Sequence, residues 1–344
     1  MNIETIIDNR GIKDFSKTSF SGFKKNEVKR DLITSLYQSQ LEEACFWSAD
    51  LVCSGHFEDL WDIIIYFFAK YIHIGNSILA VYIDKRLDIF KSIINECTGD
   101  ILGLRNDRTV RELFAEIIVV LCDSERSIQY SEIVISTDDF NMSYEMDRFV
   151  APSMEFTQVL LPSDPEEFVI AVNELSYSLY SSKRSTAWYW IEWIMVFDAN
   201  MRKRKHPCVC APRVSAPVPS KFQTDVVWLI WDVFVNRSHI FSKTVQTIIL
   251  SCVHLYALKY KKSNSQFDRR RFIIYFVAEL LTTDIIPNEE IVHDKQRVQR
   301  IKSNIHVTYN QIKNSDVEAF LGGEKNNGIA VKNINITKID SNYN

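Results

Sequence analysis

Residues 178–195 read SLYSSKRSTAWYWIEWIM, with three tryptophans and two tyrosines crowded beside a Lys-Arg pair. Such a stretch suits either an aromatic surface that stacks a planar ligand or the packed face of a helix. Spacing favours the helix. Ala187, Trp190, Ile194 and Phe197 follow one another at intervals of three and four, and Tyr189 and Trp193 form a second stripe four apart. An earlier stretch repeats the pattern. SLYQSQLEEACFWSADLV (35–52) lies over 178–195 without a gap, matching Ser35, Leu36, Tyr37, Ser39, Ala44 and Trp47 to Ser178, Leu179, Tyr180, Ser182, Ala187 and Trp190. Trp190 therefore reads as a repeated core residue. Trp188 and Trp193 have no aromatic counterpart, because Cys45 and Asp50 stand in their places.

The correspondence continues outward. EDLWDIIIYFF (58–68) lies on DVVWLIWDVFV (225–235), and VRELFAEII (110–118) on IIYFVAELL (273–281), with Glu116 on Glu279. Three matched blocks in one order point to a duplicated helical unit. Segments 28–122 and 171–283 are expected to follow one helix order. The fold class is all-α, two related five-helix units joined by a connector with room for a short β-hairpin.

Composition agrees. The 344 residues are 46% hydrophobic and 24% charged, with only 9 glycines and 8 prolines, which suits long helices in a globular chain. The expected layout is a flexible segment at 1–23, unit 1 at 24–127, a connector at 128–165, unit 2 at 166–286 and a polar helical arm with a disordered tail at 287–344. Unit 2 carries a basic, Pro-rich insert at 198–221. The strand-like runs 133–135 and 156–161 are the hairpin candidates. The seven cysteines, at 45, 53, 97, 122, 208, 210 and 252, are odd in number and sit mostly in helical pattern, which suits reduced thiols in an intracellular compartment. The opening residues have no apolar core of the secretory kind, and IIIYFFA (63–69) is far short of the roughly 20 residues of a membrane span.

Candidate chemistry centres on the insert. Arg202, Lys203, Arg204 and Lys205 are consecutive bases near a helix C-terminus, and Arg213 and Lys221 follow with no acid between Ala199 and Lys221. Such a cluster suits phosphate contact or nuclear import, against the plainer reading of a solvated helix end that complements the dipole. A net charge of −4 means that any nucleic-acid contact must be local. His206, Cys208 and Cys210 form H-x-C-x-C, one ligand short of a structural zinc site, so no metal is assigned. His254 and Cys252 read as core. Glycine-rich phosphate loops, H-E-x-x-H and G-x-S-x-G are absent from the sequence, so neither a catalytic residue nor a cofactor is assigned.

Two resemblances bear on function. FSGFKKNEVKRDLITSLYQSQLEEACFWSADLVCSGHFEDLWDIIIYFFAKYIHIGN (20–76) resembles the N-terminal hallmark of helix-rich proteins of large nucleocytoplasmic DNA viruses, and the Asn/Ile/Lys-rich tail fits such a source. The order Leu32, Ser35-Leu36, Ala44-x-x-Trp47-x-Ala49, Gly55, Asp59-Leu60 is similar to the C-terminal helical region of clamp-loader-like ATPases related to the replication-associated recombination protein A family. That region implies an oligomerisation surface; without the nucleotide-binding module it implies no ATP hydrolysis. The expectation is a non-enzymatic interaction or scaffold protein with viral protein partners, in the virion or the replication compartment. The alternative is a replication or repair accessory factor that binds nucleic acid through Arg202–Lys205.

Overall fold

The turn that follows each SLY segment has one geometry. The computed structural model describes residues 5–97, 100–127, 130, 133–141, 146–284, 291, 292 and 294–313. Helix α1 (Lys25–Tyr37) ends at Ser39 and helix α6 (Val169–Tyr180) ends at Ser182, and both serines sit in the left-handed region at φ 57°. The amide of Gln40 donates to the Ser35 carbonyl at 2.9 Å, and that of Lys183 to the Ser178 carbonyl at 2.8 Å, the bond that closes a helix end of this type. Helices α2 (Leu41–Cys53) and α7 (Arg184–Lys203) then start at matched positions.

A non-glycine residue with positive φ is strained, by roughly 1–2 kcal/mol. Exposed Ser182 has no side-chain bond among the described residues to offset this, whereas the Ser39 hydroxyl donates to the Cys122 carbonyl at 3.2 Å. Ser182→Gly is therefore expected to stabilise the protein by about 0.5–1 kcal/mol. The check is a rise in the urea midpoint at constant m-value; a fall would show that the turn is not strained.

Among the described residues the chain forms eleven α-helices and no strand. After α2 come α3 (Phe57–Phe67), α4 (Leu79–Glu96) and α5 (Arg108–Asp123). After α7 come α8 (Val227–Ser238), α9 (Lys243–Ala257) and α10 (Asn264–Leu280), and α11 (Lys295–Lys313) closes the series. Five helices thus stand in each of the two matched segments, in one order. Ser242, Ser263 and Asp107 cap α9, α10 and α5 through side-chain oxygens that accept from Val245, Gln266 and Val110.

Two compact units form, and they do not follow chain order. The first holds the described residues of Met1–Ile72, Lys85–Arg126 and Glu290–Asn344; the second holds those of His73–Asp84 and Ser127–Glu289. In the first unit α2 packs on α1, α3 and α5, and α11 lies on α5 and α2. Its core includes Phe57, Trp61, Phe90 and Phe114, whose ring centroids lie 5.2–6.0 Å apart in contact pairs. In the second unit α7 packs on α6 and α10, α8 on α6 and α9, and α9 on α10. The pairs α1–α2, α2–α5 and α1–α3 thus recur as α6–α7, α7–α10 and α6–α8.

Several expectations need correction. Residues 5–23, expected to be flexible, are irregular but anchored to the first unit. Ile6 and Asn106 exchange backbone–amide bonds at 2.8 and 3.0 Å, Phe15 is buried, and Arg10 lies over the Phe15 and Phe20 rings. The hairpin does not form among the described residues. Connector amides bond to side chains of α6 instead of to a partner strand: Val150 and Ala151 donate to Glu174, and Phe156 donates to Asn173 at 3.1 Å. The expected polar arm, α11, buries Val298, Ile305, Tyr309 and Ile312 in the first unit. The tail expected to be disordered lies outside the described residues. The helix that starts at Phe57 leaves α geometry at Phe68, passes through a π turn (Phe68–Ile72) and ends in a 3₁₀ turn (His73–Asn76).

Candidate functional site

Helices α7 and α10 pair in opposite directions through residues four apart on each. Arg184 meets Glu279 at 2.7 Å, Trp188 stacks on Tyr275 at 5.1 Å and 24°, and Glu192 takes the Tyr275 hydroxyl at 2.6 Å and faces Arg271 at 3.4 Å. The i, i+4 spacing puts each trio on one face of its helix. Trp188 is the middle rung, and its indole N–H donates to the Tyr275 carbonyl at 3.1 Å. It is buried core and not a ligand platform. At the aligned position of the first segment stands Cys45, and there Glu116, aligned with Glu279, pairs instead with Arg86 and with Lys302 of α11. Burial pushes the Glu192 and Glu279 carboxyls above their usual range, against the opposing pull of Arg271 and Arg184.

His73 completes this wall. It is fully buried, sits at φ 51°, and packs edge-on to Phe276 and Tyr130. Its Nδ1 is 3.8 Å from Glu279 Oε2, too far for a hydrogen bond, and both ring nitrogens lack a partner among the described residues. Burial, with Arg184 adding its positive charge, holds the imidazole neutral down to about 3. Strained backbone, a π turn and unpartnered buried nitrogens coincide here. Nothing in the spacing of seven scattered histidines marked this one.

The basic end of α7 lies at the other end of that helix. In the first of the two aligned segments Ser54-Gly55 stops α2, with Gly55 at φ 73°. At the matching positions α7 carries Phe197-Asp198 and runs on, stopping only at Lys205, which takes φ 63° while the His206 amide donates to the Met201 carbonyl at 2.9 Å. The added turns carry the four bases outward. Arg202 is ion-paired to buried Asp198 at 3.1 Å, and Lys203, Arg204 and Lys205 are exposed. Arg202 also lines a small cavity with Lys261 and Lys262 of the α9–α10 loop; Lys262 pairs with Asp225 at 2.8 Å, while Lys261 is exposed. The sequence reading missed these loop lysines, although the run KYKK (259–262) marks them.

The other insert cations behave differently. Arg213, counted among the insert's positive charges, is buried between Asp164 and Asp232 at 2.6–2.7 Å. Lys221 is exposed. Cys208 and Cys210 are buried, and burial raises their thiols to about 11 and about 12, away from thiolate chemistry. His206 beside them is exposed, and among the described residues no group of three His, Cys, Asp or Glu is placed to hold a metal ion. Cys252 is core as expected, but His254 is half-exposed and faces Asp84 at 3.2 Å.

Trp193 serves a different purpose from Trp190. Its indole N–H donates to the Asp139 carbonyl at 2.7 Å, its ring stacks on Phe197 at 5.0 Å and 8°, and Phe140 meets it edge-on. This fixes the short turn Asp138–Phe140 against α7. Between them opens a cleft of about 410 Å³ lined by Thr137, Phe140, Asn141, Phe197, Asn200, Met201 and Arg204. Asp50, aligned with Trp193, instead accepts from the Ser21 amide at 2.9 Å.

No protein-family model, curated protein or solved structure matches this chain. Among the described residues no helix is long and apolar enough to cross a membrane.

Proposed function

We propose that the chain is a non-enzymatic interaction protein that contacts nucleic-acid phosphates through the basic end of α7. The observation that carries this reading is the exposure of Lys203, Arg204 and Lys205 at the end of a helix extension that the first copy lacks. None of these three bases is ion-paired among the described residues, whereas Arg202 and Arg213 are held in intramolecular pairs. The resemblance of residues 20–76 supports a setting in the replication compartment or virion of a large DNA virus. A scaffold role toward viral proteins is compatible with it. We also infer that the two five-helix runs derive from one duplicated unit, supported by the shared serine turn and the three recurring helix pairs.

The test is a salt series of DNA affinity with the intact protein and a Lys203→Ala, Arg204→Ala, Lys205→Ala variant. Arg202 is left in place because its loss would strand buried Asp198. Removing three phosphate contacts is expected to flatten the slope of log K against log salt by roughly two to three units. Parallel lines for the two proteins would remove the basis of the proposal.

A further inference from the structure

We propose that the cleft between the Asp138–Phe140 turn and the end of α7 accepts one base of a single-stranded nucleic acid, so that the preferred ligand is a single strand and not a duplex. This rests on the phosphate reading above and names the ligand class. Four observations combine. The cleft, at about 410 Å³, falls in the roughly 300–1,000 Å³ range of small-ligand sites. Its walls offer two half-exposed rings, Phe140 and Phe197, for contact with a planar base. The carboxamide of Asn200 can donate and accept, as the edge of a base requires. Arg204 lines the cleft and also belongs to the exposed basic run, so it can meet the phosphate of a nucleotide seated here.

The walls are preorganised. Trp193 holds the Asp139 carbonyl at 2.7 Å and backs Phe197, and the Ser136 amide donates to Asp139 at 2.7 Å. A duplex keeps its bases stacked inside and can offer only phosphates to this corner, whereas a single strand can place a base in the cleft. Trp193 here is a positioning residue, since it acts through the turn and Phe197.

The experiment measures anisotropy with the intact protein and labelled DNA of about 12 nucleotides, within the usual footprint of single-strand binders. The probes are oligodeoxythymidine, an abasic strand of equal length and charge, and a duplex. Asn200→Ala and Phe140→Leu, both at half-exposed positions, accompany the triple basic variant. The expected result is a loss of about tenfold in affinity from oligodeoxythymidine to the abasic strand, with a similar loss in each cleft variant. Equal affinity for normal and abasic strands, with salt sensitivity that the triple variant removes, overturns the base-binding inference and leaves the phosphate contact standing. No binding of any probe at low salt overturns both. The abasic comparison alters only the ligand, so it remains decisive if a variant folds poorly.

Discussion

Arg213→Ala is expected to destabilise the second unit by about 3–5 kcal/mol. The guanidinium holds both oxygens of Asp164, at 2.6 and 2.7 Å, reaches Asp232 at 2.7 Å and donates to the Ala211 carbonyl at 2.8 Å. The Arg213 and Asp164 side chains are each 2% exposed, so neither can recover hydration when the other is removed. Burial works against the Asp164 charge, but Arg213 and the amides of Leu161 and Ala211 outweigh it and keep the carboxyl below its usual range. The sign follows. A folded-state value below the unfolded value of 3.8 contributes stability that is present above pH 3.8 and lost as pH falls through the folded value. In the variant this acid dependence should shrink together with the midpoint. Lysine cannot replace the two-oxygen grip, so Arg213→Lys should recover only part of the loss. The decisive measurement is a double-mutant cycle with Asp164→Asn by urea unfolding; additive effects would show that the pair contributes little. The same clamp ties the connector, the insert and α8 together. It accounts for why one cation of the insert is structural while Lys203–Lys205 remain available.

The second large effect concerns acid. His73 titrates near 3 in the folded protein and at 6.5 when unfolded. Between those values the unfolded chain holds a proton that the folded chain refuses, so stability falls as pH drops from 6.5 toward 3. At pH 5 the loss is roughly 2 kcal/mol, at about 1.4 kcal/mol per unit. Glu279 does not rescue the imidazolium, because Arg184 already occupies its Oε1 at 2.7 Å and repels a second positive charge. The raised carboxyls of Glu192 and Glu279 act in the opposite sense. Their contribution is full below 4.5 and is lost as pH rises through their higher folded values. His73→Asn isolates the histidine, since asparagine tolerates the positive φ better than most residues. The variant should lose the acid-dependent component between pH 7 and pH 5. An unchanged difference between the two pH values would assign the acid sensitivity to other groups.

Much of the helical layout could be read from spacing. The apolar stripe of α7 and its match to α2 follow from local rules that act within a few residues, so both segments form helices that start at aligned positions. The reading of 156–161 as strand failed because the choice depends on where amides find acceptors. Those acceptors, Glu174 and Asn173, lie on a helix about twenty residues on. The N-terminal segment was misjudged for a related reason: its polar composition hides anchors such as Ile6 and Phe15 whose partners are distant in sequence.

The candidate site divides in the same way. The four bases of Arg202–Lys205 and the two unmatched tryptophans stood out in the sequence, because a run of charge and a break in a repeat are local and countable. Folding then assigned their separate tasks. It buried Trp188 as a rung against Tyr275, turned Trp193 into the anchor of a cleft wall, tied Arg202 and Arg213 to carboxylates, and left Lys203, Arg204 and Lys205 in solvent. It also set His73 beside Glu279 across about two hundred residues of chain. Helical periodicity is a property of neighbours and is written in the sequence. Which charge is paired and which is open depends on long-range packing, because a partner can come from any element that the fold brings within a few ångströms.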